Sequence, residues 1–257
     1  MRRFSLALTF FIFFATGIVL LGLALYTPLP ALAASLASPQ IQFAIGLSLV
    51  TSTVSTAICV ALAVPAAYAL ARYDFPLKKL VNLVLTLPLA LPPLVAGIAL
   101  LLFFGTTVWG KALASFGFAV VFTPLGIIVA EVFVNLPYMV RILKSAFSAV
   151  NPRYENVAKT LGCTETGAFL QVTLPLARPG LVAGTTITWA KSMGEFGAVL
   201  MLAGATTMRT ETLPIALYLN ISTGDLDLAV AASVILITIS LCALSVVEHY
   251  ADDAHVF

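Results

Sequence analysis

Between Phe4 and Ala71 the chain carries no charged side chain for 68 consecutive residues. Water-soluble domains place about one charged residue in four along the chain, because a folded surface must be solvated. Here only 9% of the 257 residues are charged and 61% are hydrophobic. Such a chain cannot coat a water-facing surface, so a soluble enzyme, a disordered polymer and a nucleic-acid binder are excluded. The composition is that of an all-α polytopic membrane protein.

A membrane-crossing helix needs roughly 20 mostly apolar residues. Six segments meet that length, approximately 4–26, 41–70, 80–104, 122–143, 181–204 and 228–248. Each must satisfy its own backbone hydrogen bonds in lipid, which makes all six helical. With the N-terminus in the cytoplasm, Arg2, Arg3, Arg72, Lys78, Lys79, Arg141, Lys144, Arg153, Lys159 and Arg178 fall on the inner side. That is ten of thirteen basic residues, and the bias places both termini in the cytoplasm. Met1-Arg2-Arg3, an apolar run and Ala31-Leu32-Ala33 imitate a secretory signal. The run of about 22 residues exceeds a signal's 7–15, so an uncleaved first span is expected. The tail Glu248–Phe257 is short, so no regulatory domain is expected after the last span. Cys59, Cys163 and Cys242 show no CxxC or metal-ligand spacing, and read as packing thiols.

The most polar stretch is the loop 144–180 between the fourth and fifth spans. Asn151-Pro152 reads as an N-cap with proline at the first helical position, and Gly162 as the stop. Tyr154, Val157, Ala158 and Leu161 share one face of the short helix between them, with Arg153, Glu155, Asn156 and Lys159 on the rest. The residues alone leave open a helix adsorbed on lipid headgroups and a knob docking into another protein.

Glu155-Asn156-Val157-Ala158, then Gly162, nine intervening residues, and Val172-Thr173-Leu174-Pro175 resembles the "EAA" loop of binding-protein-dependent ABC transporter permeases. Glu155 stands one place earlier than that pattern's glutamate. Pro65-Ala66-Ala67-Tyr68-Ala69-Leu70-Ala71-Arg72 is similar to the family's "PxAYxLAR" stretch. Leu87-Pro88-Leu89-Ala90-Leu91-Pro92-Pro93 and Gly194-Glu195-Phe196-Gly197-Ala198 resemble the molybdate/tungstate branch, with the sulfate branch near.

The resemblance implies one MetI-like permease domain over residues 1–257, with a core at 41–248. It implies two copies around a shared path, two ATP-binding subunits beneath them and an extracytoplasmic oxyanion-binding protein above. ATP and Mg would be bound by the partner ATPase and no cofactor by this chain. The location would be a prokaryotic inner membrane. The coupling helix would comprise Pro152, Arg153, Tyr154, Glu155, Asn156, Val157, Ala158, Lys159, Leu161 and Gly162. The cargo would be an oxyanion, molybdate or tungstate first and sulfate or thiosulfate as the alternative. An ATP-independent secondary transporter is the competing class, although no internal repeat is visible.

Gly105 to Ala112 fits G-x-x-x-x-G-K but ends on Ala112 where a P-loop needs Ser or Thr for magnesium, so it reads as a chance match. An intramembrane enzyme would cluster acids or histidines at one depth, whereas His249 and His255 are both in the tail. Among residues inside spans, Glu131, Lys191 and Glu195 are candidates by their charge. Lys191 and Glu195, four apart, are expected to face each other on one helical turn. Ser192, Glu195 and Phe196 are the candidate pathway or gating residues. A bare carboxylate would repel an anionic cargo, which favours a structural or gating role for Glu195. Hydroxyls at 51–56 and 185–192 are expected to serve chiefly as glue between helices. The loop 205–227, with Arg209, Glu211, Asp225 and Asp227, is the expected docking face for a delivery protein, and its Asn220-Ile221-Ser222 sequon is read as chance.

Overall fold

The computed structural model describes residues 2–252; the end of the tail, His255 included, lies outside them. Among the described residues every regular element is helical. The order is α1 (Arg2–Ala24), α2 (Leu29–Leu36), α3 (Pro39–Arg72), α4 (Lys78–Thr86), a 3₁₀ turn (Leu87–Ala90), α5 (Pro93–Thr106), α6 (Val108–Ser115) and α7 (Pro124–Ala149). There follow α8 (Pro152–Thr160), α9 (Glu165–Ala168), a π-helical turn (Phe169–Thr173), α10 (Leu174–Leu176), α11 (Arg178–Met193), α12 (Gly197–Ala203), α13 (Leu213–Thr223) and α14 (Leu226–Asp252).

Local chemistry sets the starts of the long helices. Ser38 accepts a hydrogen bond from the Ile41 N–H and Pro39 takes the first helical position of α3. Thr123 and Pro124 do the same for α7, with the Gly126 N–H as donor. The two form the central pair of the bundle. Cys59, Ala63 and Ala67 of α3 pack on Met139, Leu143 and Phe147 of α7, all fully buried. α12 closes on α5 and α7 through Leu100, Ile127, Val199 and Leu202, and α13 closes on α3 and α14 through Ile41, Leu213 and Ala232. α1 is different: its surface is exposed nearly all round, with Phe4, Phe11 and Phe13 more than half accessible, as suits a helix facing lipid.

Among the described residues four helices are long and apolar enough to cross a membrane: Phe4–Leu23, Pro39–Arg72, Pro124–Ala149 and Leu226–Ser245. The other two expected spans are not uninterrupted helices. The third bends by 112° between Lys78–Ala90 and Pro93–Thr106. Pro88, Pro92 and Pro93 lack the N–H groups that would carry the ladder through this bend. The fifth ends at Met193 and restarts at Gly197, so α11 has 16 residues and α12 only 7. Here Gly194 offers little helix propensity, and the Glu195 carboxylate accepts from the Ala198 N–H at 3.1 Å, capping α12 instead of continuing α11.

Helix α12 must also come very close to α5. A Cβ on Gly97 would lie 2.8 Å from the Ala198 Cα, and one on Gly197 would lie 3.0 Å from the Pro93 Cβ. Gly197 thus serves packing within the chain. The segment 205–227 is likewise more than a loop, since α13 lies in it with Leu213, Ile215 and Ala216 fully buried. The stretch from Gly105 to Ala112 joins two helices, with Thr107 capping α6.

Candidate functional site

The loop between α7 and α11 folds from local signals. The Asn151 side chain accepts from the Arg153 N–H at 3.0 Å, Pro152 opens α8, and Gly162 leaves the helix at φ 95°, a conformation that costs other residues a steric penalty. On α8 the side chains divide by position. Tyr154 and Val157 are each 57% exposed and Leu161 is 81% exposed, whereas Glu155 retains 4%. Pro152, Arg153, Asn156 and Gly162 are exposed, and Ala158 and Lys159 are half-buried. Lys159 pairs with Glu165 at 3.1 Å.

Glu155 does not point outward with the rest of the helix. Its carboxylate accepts from Arg72 Nε at 2.7 Å, Tyr68 Oη at 2.9 Å and Thr173 Oγ1 at 2.6 Å. Arg72 also donates to the Val150 carbonyl at 2.8 Å, which fastens the end of α7 to the same point. Tyr68 and Arg72 are four apart on α3 and therefore reach the site from one face. The π-helical turn brings in Thr173, and aromatic contacts close the site: the Tyr68 ring lies 4.6 Å from Phe169 and 6.0 Å from Phe147. Burial alone would raise the Glu155 pKa. The hydrogen bonds from Thr173, Arg72 and Tyr68, together with the guanidinium charge, outweigh it and hold the carboxyl below its ordinary value. One buried carboxylate thus ties α8 to α3, α7 and the segment leading into α11.

The partners of Glu155 are the residues that sequence reasoning missed. Tyr68 and Arg72 stand in a motif more than eighty residues upstream, and Thr173 stands in the Val172–Pro175 motif. The signal present was their co-occurrence: two separate sequence motifs turn out to be two sides of one contact.

Deeper in the bundle, the polar residues meet across helices. Glu131 on α7 accepts from Thr51 of α3 at 3.1 Å. Asn135, one turn on, donates to Ser192 of α11 at 3.0 Å. Ser48 accepts from the Leu213 N–H at 2.8 Å and so caps α13, and Thr53 accepts from Trp189 Nε1 at 3.2 Å. Thr51, Thr53 and Ser192 of the expected hydroxyls, and Ser48 besides them, act as glue between elements, whereas Ser52 and Ser55 donate to carbonyls of their own helix. Lys191 and Glu195 form no ion pair among the described residues, and α11 ends between them, although the Lys191 charge still acts on Glu195. Lys191 Nζ lies 4.2 Å from the centre of the Tyr138 ring. Glu195 is buried, and the Phe196 ring lies against Tyr218, centroids 5.5 Å apart and planes tilted by 49°. Glu211, expected on a docking face, is fully buried, accepting from Gln40 and from the Met208 N–H at 2.9 Å. Thr53, Thr56, Thr185, Thr186 and Trp189 share a groove of about 810 Å³ between α3, α11 and α14.

Residues 60–253 match the family described as binding-protein-dependent transport system inner membrane component. The chain is 40% identical over 222 residues to the molybdenum transport system permease protein ModB of Mycobacterium tuberculosis, covering 86% of this chain and 84% of that one. It is 33% identical over 242 residues to the sulfate transport system permease protein CysT of Escherichia coli, covering 89% and 87%. Among solved structures, a bacterial alginate ABC transporter in complex with its alginate-bound periplasmic protein has a chain of the same fold. Its TM-score is 0.72 at 18% identity, over 97% of this chain and 93% of that one. A chain of the inward-facing MetNI methionine ABC transporter matches at TM-score 0.62 and 17% identity, over 83% and 99%. The all-helical architecture, the buried meeting of its two motifs and these likenesses agree: the chain belongs to the family of inner-membrane components of binding-protein-dependent transport systems.

Proposed function

We propose that this chain is the permease subunit of an oxyanion importer whose cargo is molybdate or tungstate. It works as one of two copies around a common path, with a separate ATPase subunit docked on each 144–180 loop and an extracytoplasmic binding protein delivering the anion. In this reading α1, α3, the α4–α5 pair, α7, the α11–α12 pair and α14 make six crossings, with both termini in the cytoplasm. ATP and magnesium belong to the partner subunit.

The observation that carries the reading is the division of labour on α8. An apolar face of Tyr154, Val157 and Leu161 is presented outward, while Glu155 on the other side is locked to α3 and Thr173. A knob with an unpartnered face and a rigid root suits a mechanical linkage. When two ATPases close on nucleotide, each displaces its docked α8. The Glu155 contact passes that displacement to α3 and α7, and packed helices rock as bodies to expose the path to either side. Ser192 sits at this core through Asn135. Glu195 and Phe196 sit at the α11–α12 break, where a hinge would change the path's shape.

The relatives that transport sulfate support a second cargo reading on the same frame. The test is ATP-driven uptake of labelled molybdate into vesicles holding the chain, its ATPase and the binding protein. Unlabelled tungstate should compete and sulfate should not. Equal competition by sulfate would move the assignment to the sulfate branch, and uptake without ATP would overturn the proposal in favour of a secondary carrier.

A further inference from the structure

The side of α7 turned toward α4 and α5 carries two cavities of opposite character, one helical turn apart between Leu136 and Val140. The first is a groove of about 670 Å³ between α3, α5 and α7, walled almost wholly by hydrocarbon, including Phe103, Leu125, Val129, Phe133 and Leu136. The second is a recess of about 320 Å³ between α4 and α7, lined by Asn82, Leu85, Thr86, Val140, Arg141 and Lys144. Leu125, Val129, Phe133, Leu136, Val140 and Lys144 follow one another at three- or four-residue steps, so groove and recess lie along one face of α7.

The recess is basic and uncommitted. Lys144 Nζ donates to Asn82 Oδ1 at 2.8 Å, which holds the ammonium in place and leaves it two further protons to donate. Among the described residues no carboxylate lies within ion-pair distance of Arg141 or Lys144; the ion pairs there are Arg72–Glu155, Lys78–Asp74 and Lys159–Glu165. The neighbouring helix α4 begins with Lys78 and Lys79 and leaves Leu80, Leu83 and Val84 at least half exposed, a pattern that suits the headgroup level of a bilayer.

From this arrangement we infer that the groove and recess form a binding site for an anionic phospholipid, with its phosphate between Arg141 and Lys144 and one acyl chain laid along α7 toward Val129. The dimensions agree. Along the helix axis Leu136 lies about 12 Å from Lys144 and Val129 about 22 Å, at 1.5 Å per residue. One leaflet, its headgroup layer included, is about 20–22 Å deep, half of a bilayer of about 40–45 Å. A chain whose phosphate is held at Lys144 therefore ends near Val129, with the part beyond Leu136 in the apolar groove. Basic pockets between spans at the cytoplasmic side are suited to acidic headgroups by charge. A second copy of the chain is a poorer occupant for the recess. In the segments 73–78 and 144–180 the carboxylates Asp74, Glu155 and Glu165 are already paired. The inference rests on the proposed orientation only in assigning the lipid to the inner leaflet.

The test is native mass spectrometry of the full chain with its co-purified partners, exchanged into equal amounts of phosphatidylglycerol and phosphatidylcholine. Wild type is expected to retain phosphatidylglycerol at least tenfold over phosphatidylcholine. Arg141→Gln with Lys144→Gln should bring that ratio within twofold, and Arg141→Lys with Lys144→Arg should restore it. Val129→Trp, which fills the groove and spares both cations, should lower retention of both lipids. An unchanged ratio in the double Gln variant would overturn the site. So would displacement of the lipid by inorganic phosphate alone, which marks a free-oxyanion site, or a disulfide between copies through Val129→Cys, which marks a second chain in the groove. Whether an ATPase subunit is present in the same spectra reports on the permease reading separately, so the two can fail independently.

Discussion

Two buried glutamates, Glu155 beneath α8 and Glu131 in the middle of α7, solve the same problem in opposite ways. Glu155 has three donors, one of them a guanidinium at 2.7 Å. Glu131 faces only hydroxyls, those of Thr51 at 3.1 Å and of Ser55, and no cation; its Oε2, like the Oδ1 of Asn135 one turn on, has no partner at full hydrogen-bond distance among the described residues. A fully connected network is rigid, and a partly connected one leaves room to rearrange. The contrast locates stiffness at the loop and slack at the core, which is where a transporter must hold and where it must change shape.

The largest effect should come from breaking the stiff site. Glu155→Ala strands the Arg72 side chain, only 8% exposed, without its counter-charge. Loss of one partner from such a pair costs about 3–5 kcal/mol, and a large drop in melting temperature in detergent is expected. The same contact can be weakened without mutation. Because the folded-state pKa of Glu155 is depressed, the folded protein binds fewer protons than the unfolded chain. Its contribution is present above the ordinary glutamate value, about 4.3, and is lost as pH falls through the lower folded pKa. Wild type should therefore approach the melting temperature of Glu155→Gln as the pH is taken below 4.3.

Replacing both members, Arg72→Met with Glu155→Leu, should recover most of the stability, because a well-packed apolar pair often matches a buried ion pair. Transport should stay impaired in that variant, since Tyr68 and Thr173 lose the Glu155 carboxylate and the Val150 carbonyl loses Arg72. Full transport would show that the contact stabilises without transmitting. The smallest effect is expected at the slack site. Glu131→Gln keeps an acceptor for Thr51 and removes no ion pair, so thermal unfolding should shift by about 1 kcal/mol or less. A shift as large as that of Glu155→Ala would erase the contrast between the two sites.

Sequence alone makes some of this legible and hides the rest for definite reasons. α1, α3, α7 and α14 announce themselves because an unbroken apolar run of membrane length has few other folds available. α8 is readable from Asn151, Pro152 and Gly162, whose effects are local. The break at Gly194–Phe196 is not readable, because the span around it stays mostly apolar and the decisive act is a side-chain cap by Glu195. That break also keeps Lys191 and Glu195 from closing into the expected ion pair, which assumed an intact turn. α13 was masked by the short, loop-like look of 205–227, although burial against α3 and α14 holds it in place. The role of Glu155 is least readable of all, because it depends on Tyr68, Arg72 and Thr173 arriving from separate elements.

The central claim is that α8 is a rigid knob whose outer face grips an ATPase. The direct measurement is co-purification of the tagged chain from its native host in mild detergent, comparing wild type with Tyr154→Asp and Leu161→Asp together. These side chains are exposed, so the variant should melt as wild type does. The account predicts a P-loop ATPase recovered in equal amount with wild type and lost from the variant. Stoichiometric ATPase on the variant, or none on wild type, would contradict it.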